Sequence, residues 1–159
     1  MCIRDRGKGV RTALLLTGRT MSLVEQARIA SYRAALALHG ITLMKELAGD
    51  YSYASGRALA RQIDVDATGA VFCTSDAMAM GVLDAHRRHF TEDGPQRFRL
   101  YGFDNVSLTQ FDAYPISSIG ADKREYVAQI VRLLKQPVPL AGSSGQVLVP
   151  TRFVPRLTG

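Results

Sequence analysis

Five polar residues stand where two apolar runs stop. Ala70-Val71-Phe72-Cys73 ends at Thr74-Ser75-Asp76, and the run from Phe98 to Phe103 ends at Asp104-Asn105. Two carboxylates at the ends of two different strands could converge as an acid/base pair. The competing readings are helix capping for Asp76 and a ligand hydrogen bond for Asp104, and both outweigh catalysis. No glycine-rich loop follows any apolar run, and Thr17-Gly18 alone does not make a phosphate cradle. No serine sits in a GxSxG elbow. His86 and His89 are three apart, but no third ligand has a metal-site spacing. Cys2 and Cys73 fit no disulfide or metal pattern, and Cys73 reads as a small inert hydrophobe in a strand. A binding domain is expected, with no cofactor, no metal and no catalytic residue.

The elements that must place these residues follow from the apolar patterning. Two short apolar runs separated by a helix-length segment read as strand–helix–strand, the unit of a parallel sheet. In such sheets ligands sit beyond the carboxyl ends of the strands, where Ser75, Asp76, Asp104 and Asn105 fall. Upstream, TALLLT at 12–17 reads as a buried strand ended by Gly18. Ser22 with Glu25 three residues later forms a capping-box pattern, opening a helix that reaches His39 and stops at Gly40. A strand over 41–47, a turn over 49–52, a helix over 53–63 and a loop over 64–69 come next. The central stretch follows as strand 70–74, helix 76–90, loop 91–97 and strand 98–103. After it come a short turn or helix (106–112), a strand (115–119), an amphipathic helix (122–135), a loop (136–145) and a last strand (147–154). The alternation predicts a three-layer α/β domain, a mainly parallel sheet with helices on both faces.

Composition is that of an ordinary globular domain: 159 residues, 47% hydrophobic and 21% charged. No apolar run approaches a membrane span, and no stretch has the pattern of an export signal. The net charge of +6 could suggest nucleic acid, yet the basic residues are scattered, with Arg87-Arg88 the densest pair. Of that charge, +2 sits in residues 1–9, which resemble translated adapter sequence and are expected to be a non-native leader.

Four segments resemble the LacI-type transcription regulators. VFCTSDAMAMGVLDAHRR is similar to their "xNDxMAxGxLxA" strand–helix, and RLYGFDNVSLTQFDAYPISSI to their "VVGFDD…PPLTTI" segment. VLVPTRFVPR resembles the closing "LLPxxLVxR" strand, and ALLLTG…ARIASYRAAL…HGI resembles "IAxLxG…xRxxGFxxAL…GI". Sugar-binding proteins of transporters share the first two motifs, so a periplasmic sugar-binding component of an ABC transporter is the alternative. The order and spacing of all four favour the regulators. The resemblance implies the second lobe of a type I periplasmic-binding-protein-like effector domain over residues 10–119 and 146–159. Residues 120–145 would be an excursion into a first lobe that the chain does not contain, leaving the apolar stripe of helix 122–135 exposed or docked elsewhere. A helix-turn-helix domain, through which alone DNA would be bound, would precede that lobe. The intact protein would be a cytoplasmic homodimeric regulator, a repressor by its kinship, that senses a sugar-like or nucleoside-like effector without contacting a membrane.

The resemblance also implies a site. Arg28 matches an arginine that binds effector hydroxyls or carboxylate, a task suited to a planar guanidinium. Tyr51 matches an aromatic position that packs on the ligand. Ser75 stands where the family commonly has Asn, keeping a hydroxyl but losing the bidentate amide. Asp104 matches an aspartate that accepts hydrogen bonds from ligand hydroxyls, and Asn105 replaces a frequent second aspartate. Ala121 and Lys123 stand at positions of further contacts. Met80 matches an apolar position in the two-fold dimer, with core filling as the competing reading; Asp84 and Arg87 share its helix face, another than the core-facing one of Ala79, Leu83 and Phe90.

Overall fold

The computed structural model of the chain describes residues 9–89, 97–135 and 147–159. All but Gly9 of the expected leader, the core position expected of Phe90 and the loops at 91–96 and 136–145 lie outside those residues. The strands are β1 (Thr12–Thr17), β2 (Thr42–Ala48), β3 (Ala70–Cys73), β4 (Arg99–Phe103), β5 (Ser117–Ala121) and β6 (Thr151–Val154). The helices are α1 (Leu23–Leu38), α2 (Tyr53–Leu59), α3 (Asp76–Ala85) and α4 (Lys123–Lys135). One six-stranded sheet runs β2-β1-β3-β4-β5-β6, parallel throughout except for the antiparallel β5–β6 pair.

The three expected layers form because the central strands are apolar on both faces. Leu14, Leu16, Val71, Cys73 and Leu100 point to the face covered by α2 and α3, where Met78, Ala79, Val82 and Leu83 complete the core. Their alternates Ala13, Leu15, Ala70, Phe72 and Tyr101 meet Ile29, Tyr32 and Leu36 of α1 on the other face. A row of rings crosses that second layer, with Phe72 stacked on Tyr101 at a centroid distance of 5.0 Å and Tyr32 tilted against Phe72 at 5.5 Å. Two glycines let α2 and α3 touch backbone to backbone. A Cβ on Gly81 would lie 2.2 Å from the carbonyl oxygen of Tyr53, and one on Gly56 2.1 Å from that of Met78.

Several boundaries differ from the expected ones. The helix expected over 76–90 ends at Ala85 and continues as a 3-10 turn, Arg87–His89. His86 leaves helical geometry at φ −119°, where its Nε2 lies 2.9 Å from the carbonyl of Ala60 and its ring meets Phe98 edge-on. The helix expected over 53–63 likewise tightens to a 3-10 turn at Ala60–Gln62. The strand expected over 115–119 starts later, at Ser117, because Ile116 is the last residue before pairing with β4 begins. Only residues 151–154 of the expected strand 147–154 pair, since β5 offers partners for those four alone. The segment after β6 folds back to the base of the sheet. There the Thr158 hydroxyl accepts from Ser117 N–H at 2.9 Å and donates to the Leu100 carbonyl at 2.7 Å.

Helix α4 stands apart from both layers. None of its residues is buried, and Tyr126, Val127, Ile130, Val131 and Leu134 of its stripe are all exposed. The apolar stripe expected over 122–135 is thus exposed.

Candidate functional site

The strand ends meet at one open cleft of about 550 Å³, walled by Val24, Arg28, Tyr51, Ser75, Asp76, Ala77, Met80, Asp104, Val106 and Leu108. All four expected effector contacts line it. So does Met80, which is 6% exposed and belongs to the buried core.

The cleft is built from the end of β1 outward. Glu25 is fully buried in the first turn of α1. As expected, Ser22 caps this helix through the Glu25 N–H. The other half of the expected capping box does not form: Ser22 N–H donates to the Arg19 carbonyl instead. The Glu25 carboxylate is drawn the other way, accepting from Gly18 N–H at 2.6 Å at the strand end. Its second oxygen lies 3.4 Å from Nη1 of Arg28. The same Nη1 donates to the Thr74 carbonyl at 2.7 Å, and the guanidinium lies 3.9 Å above the Phe103 ring. Arg28 is therefore held by three neighbours from β3, β4 and α1 before any ligand arrives.

Tyr51 packs on Gly18 so closely that a Cβ there would fall 1.9 Å from its ring. Burial pushes its phenol pKa up, and the Glu25 carboxylate adds to the rise. Among the described residues three non-glycines adopt positive φ: Tyr51 at 73° and Asp104 at 101°, which line the cleft, and Asn105 at 48°, next to Asp104. Such conformations cost on the order of 1–3 kcal/mol each and persist only where the surroundings impose them. Each is tied down. The Tyr51 carbonyl accepts from the Ser75 hydroxyl at 3.0 Å. Asp104 N–H donates to the Ile119 carbonyl at 2.7 Å, and Asn105 N–H to the Ser118 hydroxyl at 3.1 Å. Arg156 donates to the Asn105 amide oxygen at 2.8 Å and to the Ile116 carbonyl at 2.7 Å.

The two aspartates part company here. Asp76 does not cap α3; Ser75 does, accepting from Met78 N–H at 3.2 Å. The Ser75 hydroxyl thus accepts from α3 and donates to Tyr51, and its polar capacity is largely spent inside the protein. Asp76 is buried and accepts from the Ser118 hydroxyl at 2.6 Å and from Val106 N–H at 2.7 Å, stitching α3 to β5 and to the loop after β4. Burial raises its pKa to about 6 against the opposing pull of those two bonds. Asp104 keeps an exposed side chain. Desolvation of its carboxyl raises the pKa, Arg28 lowers it and Glu25 raises it. The two carboxyl groups thus differ in their commitments: Asp76 is engaged by Ser118 and Val106, and Asp104 faces the cleft.

The remaining expected positions have intramolecular partners or lie elsewhere. Asp84 accepts from Tyr53 at 2.7 Å, from Tyr114 at 3.1 Å and from Arg87, while Arg87 also donates to the Ala113 carbonyl at 2.9 Å. Ala121 ends β5 and Lys123 begins α4; neither lines the cleft. The two imidazoles of His86 and His89 are neighbours at 5.8 Å, but no group of three metal-ligating side chains occurs among the described residues. Reading the residues alone missed Glu25 as more than a cap, Phe103 as the bed of Arg28, and Arg156 as the anchor of Asn105. Only the first had a signal, the three-residue spacing that puts Glu25 and Arg28 on one helix face.

Residues 6–158 match the family described as periplasmic binding protein-like domain. The chain belongs to that family. Its relatives among characterised proteins are regulators, in keeping with the resemblance to the LacI type. It is 34% identical over 88 residues to the HTH-type transcriptional repressor CytR of Escherichia coli K12, covering 54% of this chain and 26% of that protein. It is 30% identical over 122 residues to the ribose operon repressor of the same organism, covering 74% of this chain and 37% of that protein. The chain thus spans well under half the length of these relatives. The fold is that of the Lac repressor dimer bound to operator and the anti-inducer ONPF, at a TM-score of 0.81 and 24% identity, covering 98% of this chain and 55% of that one. These relatives are transcriptional regulators, not enzymes or transporter components, which turns the balance against the transporter alternative.

Proposed function

We propose that the chain is the ligand-sensing part of a DNA-binding transcriptional regulator, a repressor whose DNA affinity is set by a small sugar-like or nucleoside-like effector. The cleft carries this reading. A pre-set arginine, an aromatic ring and a free carboxylate converge at the ends of β1, β3 and β4, where a polyhydroxyl ligand can be both gripped and stacked. Arg28, Tyr51 and Asp104 are the contacts, with Ser75 serving chiefly to hold Tyr51. Support also comes from the relatives, a ribose operon repressor and a Lac repressor dimer seen with operator and ONPF.

On this reading residues 10–119 and 146–159 form the second lobe of a two-lobed effector domain, and 120–145 pass into the first. The bare stripe of α4 supports that division. DNA would be bound through a separate helix-turn-helix domain. The intact protein would be a cytoplasmic homodimer in which Asp84 and Arg87 lie toward the partner, while Met80, also expected there, belongs to the core. An effector that prefers one lobe arrangement shifts the population of the two and so changes DNA affinity.

Two measurements test this. The reading frame upstream of Val10 should encode a helix-turn-helix and the first lobe. The intact protein, titrated with a panel of pentoses, hexoses and nucleosides, should change its operator affinity with one of them, as read by fluorescence anisotropy. A frame encoding an export signal instead, or operator binding indifferent to the whole panel, would refute it. This chain alone should bind those ligands only at millimolar concentration, since it supplies one wall of the site.

A further inference from the structure

The charges around the cleft are unequal. Asp76 and Asp104 bring two carboxyl groups to its lining and Glu25 a third, buried behind Arg28, against the guanidinium groups of Arg28 and Arg156. Arg156 is turned to Asn105 and the Ile116 carbonyl and does not line the cleft. Arg28 does, but its charge is already opposed by the fully buried Glu25, and its Nη1 is committed to Thr74 and Glu25. A phosphate or carboxylate entering here would meet one part-neutralised cation beside the Asp104 carboxylate. A neutral hydroxyl pair would meet a fixed donor and a fixed acceptor, which is what it needs. The opposite wall, Val24, Ala77, Met80, Val106 and Leu108, offers an anion no donor side chain.

Resting on the reading of the cleft as an effector site, we propose that Glu25 makes it selective for uncharged polyhydroxyl ligands and excludes their phosphorylated or carboxylate counterparts. Glu25 is a positioning residue: it acts through Arg28, setting both where the guanidinium sits and how much of its charge a ligand can feel. The three-residue spacing from Glu25 to Arg28 on α1 is the sequence mark of this device.

Amide NMR titrations of the 159-residue chain with D-ribose, its phosphate ester and inorganic phosphate, in a phosphate-free buffer, test the proposal. In the wild type, millimolar ribose should move the amides of Gly18, Ser75 and Asp104, and neither phosphate should. Glu25→Gln, which can still accept from Gly18, should gain phosphate affinity by about tenfold or more relative to sugar, the size expected from removing one nearby charge. Glu25→Asp should keep the exclusion. Wild-type binding of either phosphate at these amides as tightly as ribose overturns the proposal, and that comparison stands even if Glu25→Gln does not fold. An equal loss of sugar and phosphate response in Glu25→Gln, or no gain of phosphate, also overturns it, because Glu25 would then be structural only. Phosphate gained by Glu25→Gln while no neutral sugar moves either protein would support anion exclusion and count against the effector reading itself.

Discussion

Tyr51 lies on Gly18 with no room for a side chain between them: a Cβ on the glycine would come 1.9 Å from the tyrosine ring. The contact couples the end of β1 to the turn before α2 and sets the height of the aromatic wall above Arg28. Tyr51 holds this place at a φ of 73°, with its carbonyl bonded to Ser75. Gly18→Ala should therefore evict the ring without disturbing the core. We expect the intact protein to lose roughly tenfold or more in effector affinity, with only a modest loss of stability. Calorimetry and chemical denaturation, run side by side, separate the two.

Asp76 makes stability fall as pH rises through the mildly acidic range. Its carboxyl titrates near 6 in the folded protein, against an ordinary value of 3.8. The folded state thus binds the proton more tightly, and this contribution is complete below about 4 and lost by about 6. The difference of roughly two pH units corresponds to on the order of 3 kcal/mol. Glu46, Asp50, Asp84 and Asp122 have lowered values and act in the opposite sense at lower pH. The urea midpoint should decline between pH 4 and 6 in the wild type, and Asp76→Asn should flatten that decline. An unchanged slope in the variant would refute the assignment.

Removal of Arg156 should loosen one wall of the cleft from behind. Its guanidinium joins the Ile116 carbonyl to the Asn105 amide, and its own N–H donates to the Ser117 hydroxyl at 2.8 Å. Arg156→Ala leaves the Ile116 carbonyl and the Asn105 oxygen without this donor, at a cost of about 1–3 kcal/mol. Faster hydrogen exchange at Asp104 and Asn105 should accompany the lower denaturation midpoint. Arg156→Lys should recover little, because one ammonium does not span both acceptors with the fork's geometry.

The stripe of α4 should be dispensable here and indispensable in the intact protein. Val127 and Ile130 are 57% and 42% exposed. Val127→Lys with Ile130→Glu should leave the unfolding free energy of this chain within about 0.5 kcal/mol and reduce its binding of a hydrophobic dye. The same pair in the intact protein should destabilise it by several kcal/mol if a first lobe covers the stripe. Calorimetric melting of both lengths reads the difference.

Much of the architecture was legible from residue patterning. TALLLT and AVFC are apolar without alternation, which only a strand covered on both faces tolerates, and the first helix between them carries its own stop in Gly40. That Ser75, Asp104, Arg28 and Tyr51 could share a site followed from strand ends and from the LacI-type motifs. Polar commitments were not legible, because several deciding partners come from segments 24 to 42 residues away. Ser75 is spent on Tyr51 and the start of α3, and Asp76 on Ser118 and Val106. Glu25 looks like half a capping box in sequence, yet the nearby end of β1 and Arg28 offer its carboxylate better partners than Ser22 N–H. Local spacing determined which elements exist and which of their ends face the cleft. Only tertiary packing decided which polar groups at those ends stay free, because a buried hydrogen-bonding group is claimed by whichever partner the fold brings within about 3 Å.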